Sequence, residues 1–324
     1  MRQASFDPHH AGMKNAIETA GLTKRYGEQT SVDHLDLCIP SGKVTGFVGP
    51  NGAGKTTTIR MLLGLITPSA GEGTVLGQPI THPERYLSSV GAMIEGPAFI
   101  PNLSGRANLQ VLARLGEIDH RRVAETLEIV DLASKADEQY RRYSLGMKQR
   151  LGIAASLLPN PQLVMLDEPT NGLDPEGIRD MRALLVNLAA TGSTVFVSSH
   201  MLSELEHISD HLVMIERGRT RYQGSLGNLL NAQSPRASAT PEDRTDVPRL
   251  AALLRAHGFT VTEHVATVTI ASAPDSLADL NRIAWAQGIV LSALSPIVST
   301  LEEIFFANTT TPAFSSSTSS NGAL

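Results

Sequence analysis

The chain has 324 residues, a net charge of −5 and an apolar fraction of 41%. This length predicts one large domain and a smaller one, with enough apolar residues for an ordinary core. The negative charge gives no indication of a nucleic-acid-binding surface, and the single cysteine excludes an intramolecular disulfide, which fits a reducing compartment. No apolar run approaches the roughly 18 to 20 residues that a membrane-spanning helix needs, so we expect no span in this chain.

The predicted elements begin after a lead-in of residues 1–15. Clustered and alternating apolar residues predict strands at 16–23 and 31–39, and the apolar stretch 43–48 predicts a buried strand. The glycine-rich stretch 68–77 predicts turns around a further short strand. The chain therefore opens as a β-rich segment.

A phosphate-binding pattern follows the strand at 43–48, and a helix is predicted directly after it. The pattern is G-x-x-x-x-G-K-[ST], met here by Gly49, Pro50, Asn51, Gly52, Ala53, Gly54, Lys55, Thr56 and Thr57. Glycines let successive backbone N–H groups point into one concavity, and the helix N-terminus adds its positive dipole end. Lys55 is expected to reach the outer phosphates and the Thr56 hydroxyl to ligate Mg²⁺. The alternative is a glycine-rich turn that matches by chance, and the order strand, loop, helix argues against it.

Helical periodicity dominates the next part of the chain. Apolar spacing predicts helices within 103–112 and 122–132, and Ser144 is well placed as the N-cap of another helix that ends at Pro159. This block separates the phosphate loop from the second half of the site. It indicates a helical subdomain inserted in a nucleotide-binding α/β fold.

Two carboxylates follow the apolar run 163–166. Asp167 and Glu168 are therefore expected at the carboxyl end of a parallel strand, where α/β folds place their sites. Asp167 can hold Mg²⁺ directly or through water, and Glu168 can polarise a water for attack on the terminal phosphate. The alternative is a pair of acids that cap the next helix, which is predicted at 175–190.

The remaining chain predicts a second, smaller unit. Residues 233–246 are rich in Pro, Ser, Ala and charge and are interpreted as a linker, 247–308 as a compact α+β domain and 309–324 as a disordered tail. Trp285 is expected in the core of the small domain.

Together these motifs resemble the ATP-binding subunit of an ABC transporter, over about residues 16–232. Gly172-Leu173-Asp174-Pro175 matches the D-loop of that family, and His200, after a strand and two serines, matches its switch histidine. Tyr26 matches the aromatic residue that stacks on adenine. Tyr143-Ser144-Leu145-Gly146-Met147-Lys148-Gln149 matches the family signature in a variant form. The fold class implied is an α/β P-loop NTPase of the ABC ATPase type with an inserted helical subdomain, plus a small C-terminal α+β domain.

Three positions depart from the common pattern of the family. The usual signature has glycine at the position of Leu145 and glutamine at that of Met147, and the usual glutamine of the Q-loop is Glu95 here. These variants, with residues 101–105 and the terminal stretch 301–306, resemble the branch of exporters for bacitracin, lantibiotics and related antibiotics. Glu95 is interpreted as a sensor of Mg²⁺ and nucleotide, with an exposed loop acid as the alternative.

The resemblance implies a complete set of ligands and partners. ATP and Mg²⁺ are the implied cofactors, Glu168 and His200 the catalytic residues, and Thr56, Asp167 and Glu95 the metal site. The implied ATP contacts are Tyr26, Gly49, Pro50, Asn51, Gly52, Ala53, Gly54, Lys55, Thr56, Thr57, Glu95, Ser144 and Gly146. Ser144 and Gly146 would act on ATP held by a second copy in a head-to-tail dimer. An integral membrane permease subunit would carry the pathway, with this chain peripheral on the inner face of the cell membrane and no nucleic acid bound.

Two other classes of protein compete with this interpretation. A soluble ABC-type ATPase acting on ribosome or DNA typically carries tandem cassettes or long coiled-coil insertions, and this chain has one cassette and no long heptad run. An unrelated P-loop kinase or GTPase would leave the signature, the D-loop and the switch histidine unexplained. The transported molecule is not identifiable from these residues, and export is favoured over import only by the resemblance to the exporter branch.

Overall fold

The computed structural model describes residues 15–96, 98–231, 236–271, 277–297 and 301. The contacts divide the chain into two compact units, with the first ending at Leu226 and the second beginning at Gly227. The predicted tail 309–324, the lead-in before Asn15 and all but Leu301 of the stretch 301–306 lie outside the described residues.

The first unit combines two sheets with helices. Its strands are β1 (Asn15–Tyr26), β2 (Gln29–Pro40), β3 (Val44–Val48), β4 (Ala70–Val75), β5 (Gln78–Pro79), β6 (Val90–Met93), β7 (Leu163–Asp167), β8 (Thr194–Ser199), β9 (His211–Glu216) and β10 (Arg219–Ser225). Its helices are α1 (Lys55–Leu62), α2 (Gly105–Leu115), α3 (Arg121–Ile129), α4 (Leu145–Leu157), α5 (Pro175–Ala190) and α6 (Leu202–Leu205), after which α7 (Leu226–Asn231) begins.

The central sheet has the order β10-β9-β3-β8-β7-β6; the five strands from β9 to β6 are parallel, and β10 is antiparallel to β9. Every residue of β3, β7 and β8 is buried, which is typical of parallel strands covered on both faces. Val48 pairs with Ser199 and Asp167 with Ser198, so the carboxyl ends of these three strands lie side by side. The phosphate loop, the two acids and the segment of His200 therefore emerge at one edge, as predicted.

The second sheet is antiparallel, in the order β2-β1-β4-β5. The turn between β9 and β10 links it to the phosphate loop, because Gly218 donates to the carbonyl of Ala53 and accepts from the amide of Asp33, both at 2.9 Å. Gly218 has a φ of +77°, and a Cβ there would lie 2.9 Å from backbone atoms of three residues of β2. This close approach requires glycine.

The predicted helical subdomain is α2, α3 and α4. Ser104 and Ser144 cap α2 and α4, since their hydroxyls accept from the amides of Ala107 at 3.1 Å and Met147 at 3.2 Å. The capping role predicted for Ser144 is confirmed. Among the described residues, no helix is both long and apolar enough to cross a membrane.

The second unit is a four-stranded antiparallel sheet with two helices. Its elements are β11 (Arg236–Pro241), α8 (Val247–Ala256), β12 (Thr260–Glu263), β13 (Val268–Ala271), α9 (Leu277–Ala286) and β14 (Leu291–Ile297), and the strand order is β12-β13-β11-β14. The predicted α+β architecture is present here.

Two sequence-based expectations about this unit are wrong. Much of the predicted linker 233–246 is the strand β11, whose buried residues Ala237 and Ala239 alternate along the chain; their small size concealed the period of two. Trp285 is 69% exposed rather than in the core. The buried positions of α9 are Leu280 and Ala284, and the 100° step per residue turns Trp285 away from them.

Candidate functional site: a phosphate-binding cleft

The phosphate loop joins β3 to α1 in a conformation that only glycine accommodates. Gly54 has a φ of +105°, and a Cβ there would lie 2.5 Å from the carbonyl oxygen of Ser31. A Cβ at Gly49 would lie 2.4 Å from the carbonyl oxygen of Ile215. The amide groups in the first turn of α1 have no partner within the helix, so they and the helix dipole favour an anion at this end.

Lys55 begins α1, and its side chain is buried. Its ammonium donates to the carbonyl oxygen of Gly49 at 2.7 Å and lies 3.2 Å from Oε1 of Glu168. A cation is thus held at the floor of the loop, beside the carboxylate that follows β7, two strands away in the sheet. This arrangement suits a ligand with several negative oxygens.

Asp167 ends β7 and lies against α1. One carboxylate oxygen accepts from the Thr56 hydroxyl at 2.6 Å, and the other accepts from the Ser198 hydroxyl. A hydroxyl and a carboxylate are thereby brought together at the start of the helix. Ser198, which orients Asp167 from β8, escaped the sequence analysis because serine in a buried strand carries no distinctive pattern.

Glu168 follows β7 with a φ of +51°, and its amide donates to both the carbonyl at 3.2 Å and the hydroxyl at 3.0 Å of Ser198. Its Oε1 faces Lys55, and its Oε2 lies 2.6 Å from Nδ1 of His200. Burial raises the pKa of this carboxyl, but the hydrogen bond with His200 and the charge of Lys55 outweigh burial, so the pKa is lowered overall. Glu168 is therefore ionised at neutral pH and able to accept a proton.

Most of the phosphate loop lines one cleft of about 440 Å³ together with Glu168 and His200. Its lining is Gln29, Ser31, Asn51, Gly52, Ala53, Gly54, Lys55, Thr56, Thr57, Glu168, Asn171 and His200. Gln29, Ser31 and Asn171 were missed by the sequence analysis, although Gln29 and Ser31 follow closely on Tyr26 and could have been considered with it.

Tyr26 lies at the end of β1, paired with Gln29 across the hairpin. Its ring is 48% exposed, with the Lys24 ammonium 5.2 Å from the ring centre. Tyr26 is not among the residues that line the cleft. Its position beside the cleft leaves a face free for stacking, and the adenine contact stays a prediction.

Glu95 is not brought to the cleft. It lies two residues beyond β6 with a φ of +65°, its side chain is 69% exposed, and it forms an ion pair with Arg60 of α1. Since β6 pairs with β7, Glu95 still emerges at the same sheet edge as Asp167. In this arrangement its carboxylate is paired with Arg60, and its role as a sensor of Mg²⁺ and nucleotide stays a prediction.

Ser144 and Gly146 lie in a different cleft, of about 560 Å³, at the start of α4. The predicted D-loop residues Gly172 and Asp174 also line it, and Asp174 caps α5 by accepting from Gly177 at 3.0 Å. A Cβ at Gly146 would have no neighbour nearer than 3.8 Å, so the approach to this helix N-terminus is open. Within the described residues, the signature serine and the phosphate loop share no cleft.

A profile of the ABC transporter family matches residues 32–171. The bacitracin transport ATP-binding protein BcrA of Bacillus licheniformis is 48% identical over 210 residues, which cover 64% of this chain and 69% of that protein. The bacitracin transport ATP-binding protein BcrA of Enterococcus faecalis is 38% identical over 298 residues, which cover 90% of this chain and 96% of that protein.

The fold is similar to solved structures of the same family. A crystal structure of the ADP conformation of an ATP-binding cassette of an ABC transporter superposes with a TM-score of 0.62 at 22% identity, over 68% of this chain and 96% of that chain. This likeness confirms the predicted fold class. The alternative of a ribosome- or DNA-acting ATPase is not favoured by relatives named for transport. The chain belongs to the ABC transporter family as an ATP-binding subunit, an ATP hydrolase coupled to transport.

Proposed function

We propose that this chain hydrolyses ATP at the cleft of Lys55, Glu168 and His200 to drive export of an antibiotic or peptide through a separate permease. The observation that carries this proposal is the double pairing of Glu168, with Lys55 on one oxygen and His200 on the other. A general base must lie within hydrogen-bond reach of the water whose proton it takes. Here the base lies at the mouth of a loop built for phosphates.

Each residue of the cleft has a distinct role in this proposal. The backbone N–H groups of residues 52–57 and the Lys55 ammonium bind the phosphate oxygens and offset their charge. The ionised Glu168 orients a water and takes its proton as the water attacks the terminal phosphorus. His200, hydrogen-bonded to Glu168 through Nδ1, holds that carboxylate in place. The phosphate leaves with the new oxygen, and ADP remains on the loop.

The donor set also fits Mg²⁺. A hydroxyl and a carboxylate 2.6 Å apart, Thr56 and Asp167, supply hard oxygen donors beside the phosphate loop. Among the described residues there is no cluster of three or more His, Cys, Asp or Glu that could hold a metal by itself. This suits Mg²⁺, which keeps several waters and is held by one or two protein groups together with substrate phosphates. When bound, the ion would offset charge on the terminal phosphates.

The separation of the two clefts supports a head-to-tail pair of subunits. A single copy offers the terminal phosphate no contact from Ser144 or from the N-terminus of α4, because these line another cleft. A second copy, rotated by half a turn, would place its Ser144 on the ATP of the first. The membrane partner would be an integral permease subunit, with this chain on the inner face of the membrane.

The class of transported molecule is proposed from the relatives alone. Two of them are named for bacitracin transport, and a third, from Streptococcus pyogenes, is named a lantibiotic transport ATP-binding protein. These names agree with the exporter branch that the sequence resembles. An antibiotic or peptide is therefore the proposed cargo, and peptide antibiotics are the first class to test.

The test is a susceptibility profile of a strain lacking this chain, complemented with the wild type or with Glu168→Gln. We expect wild type to restore tolerance to a peptide antibiotic and Glu168→Gln to fail although it is produced at the same level. Restoration by both would refute hydrolysis as the source of transport. Unchanged susceptibility to a panel of peptide antibiotics would refute the cargo class, while pull-down of a multispanning protein from solubilised membranes would still support the transporter role.

A further inference from the structure

Glu204 is a buried acid that the proposed chemistry does not use. It lies in the single turn α6, four residues after His200, and its residue is only 4% exposed. One carboxylate oxygen, Oε2, accepts two hydrogen bonds, one from the Thr170 hydroxyl and one from the Ser199 hydroxyl at 3.1 Å. A single atom thus joins the loop at Thr170, which follows β7, to the loop that begins at Ser199, the last residue of β8. These two residues are 29 positions apart in the chain.

The two loops are those that carry the proposed catalytic pair. Thr170 lies two residues after Glu168, and Ser199 directly precedes His200. The Ser199 hydroxyl also accepts from the amide of Met201 at 3.0 Å, so its hydrogen is directed to Glu204 and the turn around His200 is held on both sides. The carbonyl of Thr170 accepts from the amide of Leu173 at 3.1 Å, which continues the same turn into the D-loop.

A carboxylate at this position is costly unless it is satisfied. Burying an acid without hydrogen bonds carries a large desolvation penalty, whereas hydrogen bonds to an ionised acceptor are stronger than neutral ones. The flanking residues Leu202 and Leu205 are buried and apolar, so a leucine at 204 would suit the local packing. What the acid adds over leucine is the pair of directed bonds to the two loops.

We propose that Glu204 is a positioning residue for ATP hydrolysis. It holds the Thr170 and Ser199 loops in register so that Nδ1 of His200 stays within hydrogen-bond reach of Glu168. This inference rests on the proposed roles of Glu168 and His200. It assigns Glu204 no contact with ATP, so its loss should lower turnover and leave nucleotide binding unchanged.

Four variants test the role. Glu204→Leu removes the acceptor at similar volume, and Glu204→Gln keeps a carbonyl oxygen that can accept both bonds. Glu206→Gln, two residues on and only partly buried, is the matched control for loss of charge. The triple variant Thr170→Val, Ser199→Ala, Glu204→Leu replaces the three side chains of the network by apolar groups, and of their partners only the Met201 amide loses its acceptor.

We expect Glu204→Leu and the triple variant to lower kcat at least tenfold with the Kd for ATP within about twofold of wild type, since a lost positioning contact acts on the transition state. Glu204→Gln should keep at least a third of wild-type kcat, and Glu206→Gln should match wild type. In ¹⁵N-histidine spectra, the His200 signal, assigned with His200→Ala, should shift in Glu204→Leu and the triple variant alone.

Wild-type kcat in a folded Glu204→Leu or triple variant, or a weakened Kd in place of a lowered kcat, would overturn the inference. If Glu204→Leu does not fold, the triple variant and the His200 signal decide. Absence of hydrolysis by the wild type itself would instead count against the proposed function, and equal activity of wild type and Glu168→Gln would do the same.

Discussion

Glu168 is the residue that we propose takes the proton of the attacking water. Its φ is positive, and its two carboxylate oxygens have different partners, Lys55 on Oε1 and His200 on Oε2. The nearest cation, Lys55, is buried, so its charge is less screened than that of a surface lysine. The consequences of this arrangement are measurable at individual residues.

Lys55→Ala should weaken ATP binding by at least tenfold, because the phosphates lose the one side-chain cation that lines the described cleft. Equilibrium titration with a fluorescent ATP analogue measures the affinity. Lys43→Ala, which removes a positive charge just before β3 and outside the cleft, is the control and should bind as wild type does. Ordinary affinity in Lys55→Ala would contradict the phosphate-loop assignment.

Glu95 and Glu168 invite a side-by-side comparison of glutamine variants. Glu168→Gln should slow hydrolysis by roughly a hundredfold or more, a usual size for loss of a general base. Glu95→Gln should retain most basal hydrolysis, because Glu95 is exposed and paired with Arg60 outside the cleft. Steady-state phosphate release measures both. Equal loss in the two variants would place Glu95 in the chemical step.

The lowered pKa of Glu168 predicts a pH effect on stability. A carboxyl whose pKa is lower in the folded chain stabilises the fold above its unfolded pKa, and that contribution is lost as pH falls through the folded pKa. The free energy of unfolding of wild type should therefore fall more steeply between pH 7 and pH 3 than that of Glu168→Gln. Urea denaturation at several pH values measures it, and parallel curves would contradict the ionised, paired state.

Among the helices, α2 and α4 both begin with a serine cap, but only the cap of α4 lines the cleft of the D-loop residues. Ser104 and Ser144 both accept from the amide three residues on, yet only Ser144 lies in the cleft with the D-loop. Comparing the two serines therefore separates the effect of a lost helix cap from the effect of a lost contact with ATP.

Ser144→Ala and Ser104→Ala should each destabilise the fold by about 1 kcal/mol, the usual cost of a lost serine cap. Only Ser144→Ala should also reduce ATP-dependent hydrolysis and pairing, because only that hydroxyl is proposed to meet the ATP of a second copy. Urea denaturation and ATPase assays of both variants test this. Equal ATPase activities would refute the proposed contact of the signature serine.

In the molecule as a whole, the phosphate loop and the signature serine lie in two separate clefts of the first unit. The phosphate cleft and the signature cleft have no lining residue in common. In the proposed head-to-tail pair, two copies together form a complete site, so trapped ATP should favour their association.

Glu168→Gln with ATP and Mg²⁺ should elute as a dimer from a size-exclusion column, since ATP that is bound but not hydrolysed holds both interfaces together. Glu168→Gln combined with Ser144→Ala should dimerise less. Light scattering on the eluted peak gives the mass. A dimer that forms equally without ATP would contradict nucleotide-dependent pairing.

Local residue patterns were enough to predict the fold class and the separate halves of the candidate site. The phosphate loop, Asp167 and Glu168 after an apolar strand, and the Ser144 cap depend on short-range patterns, because period and turn chemistry are local properties. The strand β11 and the exposure of Trp285 were not predicted, since small alternating residues give a weak strand signal and the face of a short helix depends on its partners.

Which distant residues come into contact was not predictable from local patterns, because it depends on how the strands pair. The parallel pairing of β3, β7 and β8 sets Lys55, Glu168 and His200 at one edge, and it joins Thr170 to Ser199 through Glu204. The tertiary structure also pairs Glu95 with Arg60 and sets Ser144 in a different cleft from the phosphate loop. Contacts between residues far apart in the chain depend on strand order and loop direction, which no local pattern of residue types specifies.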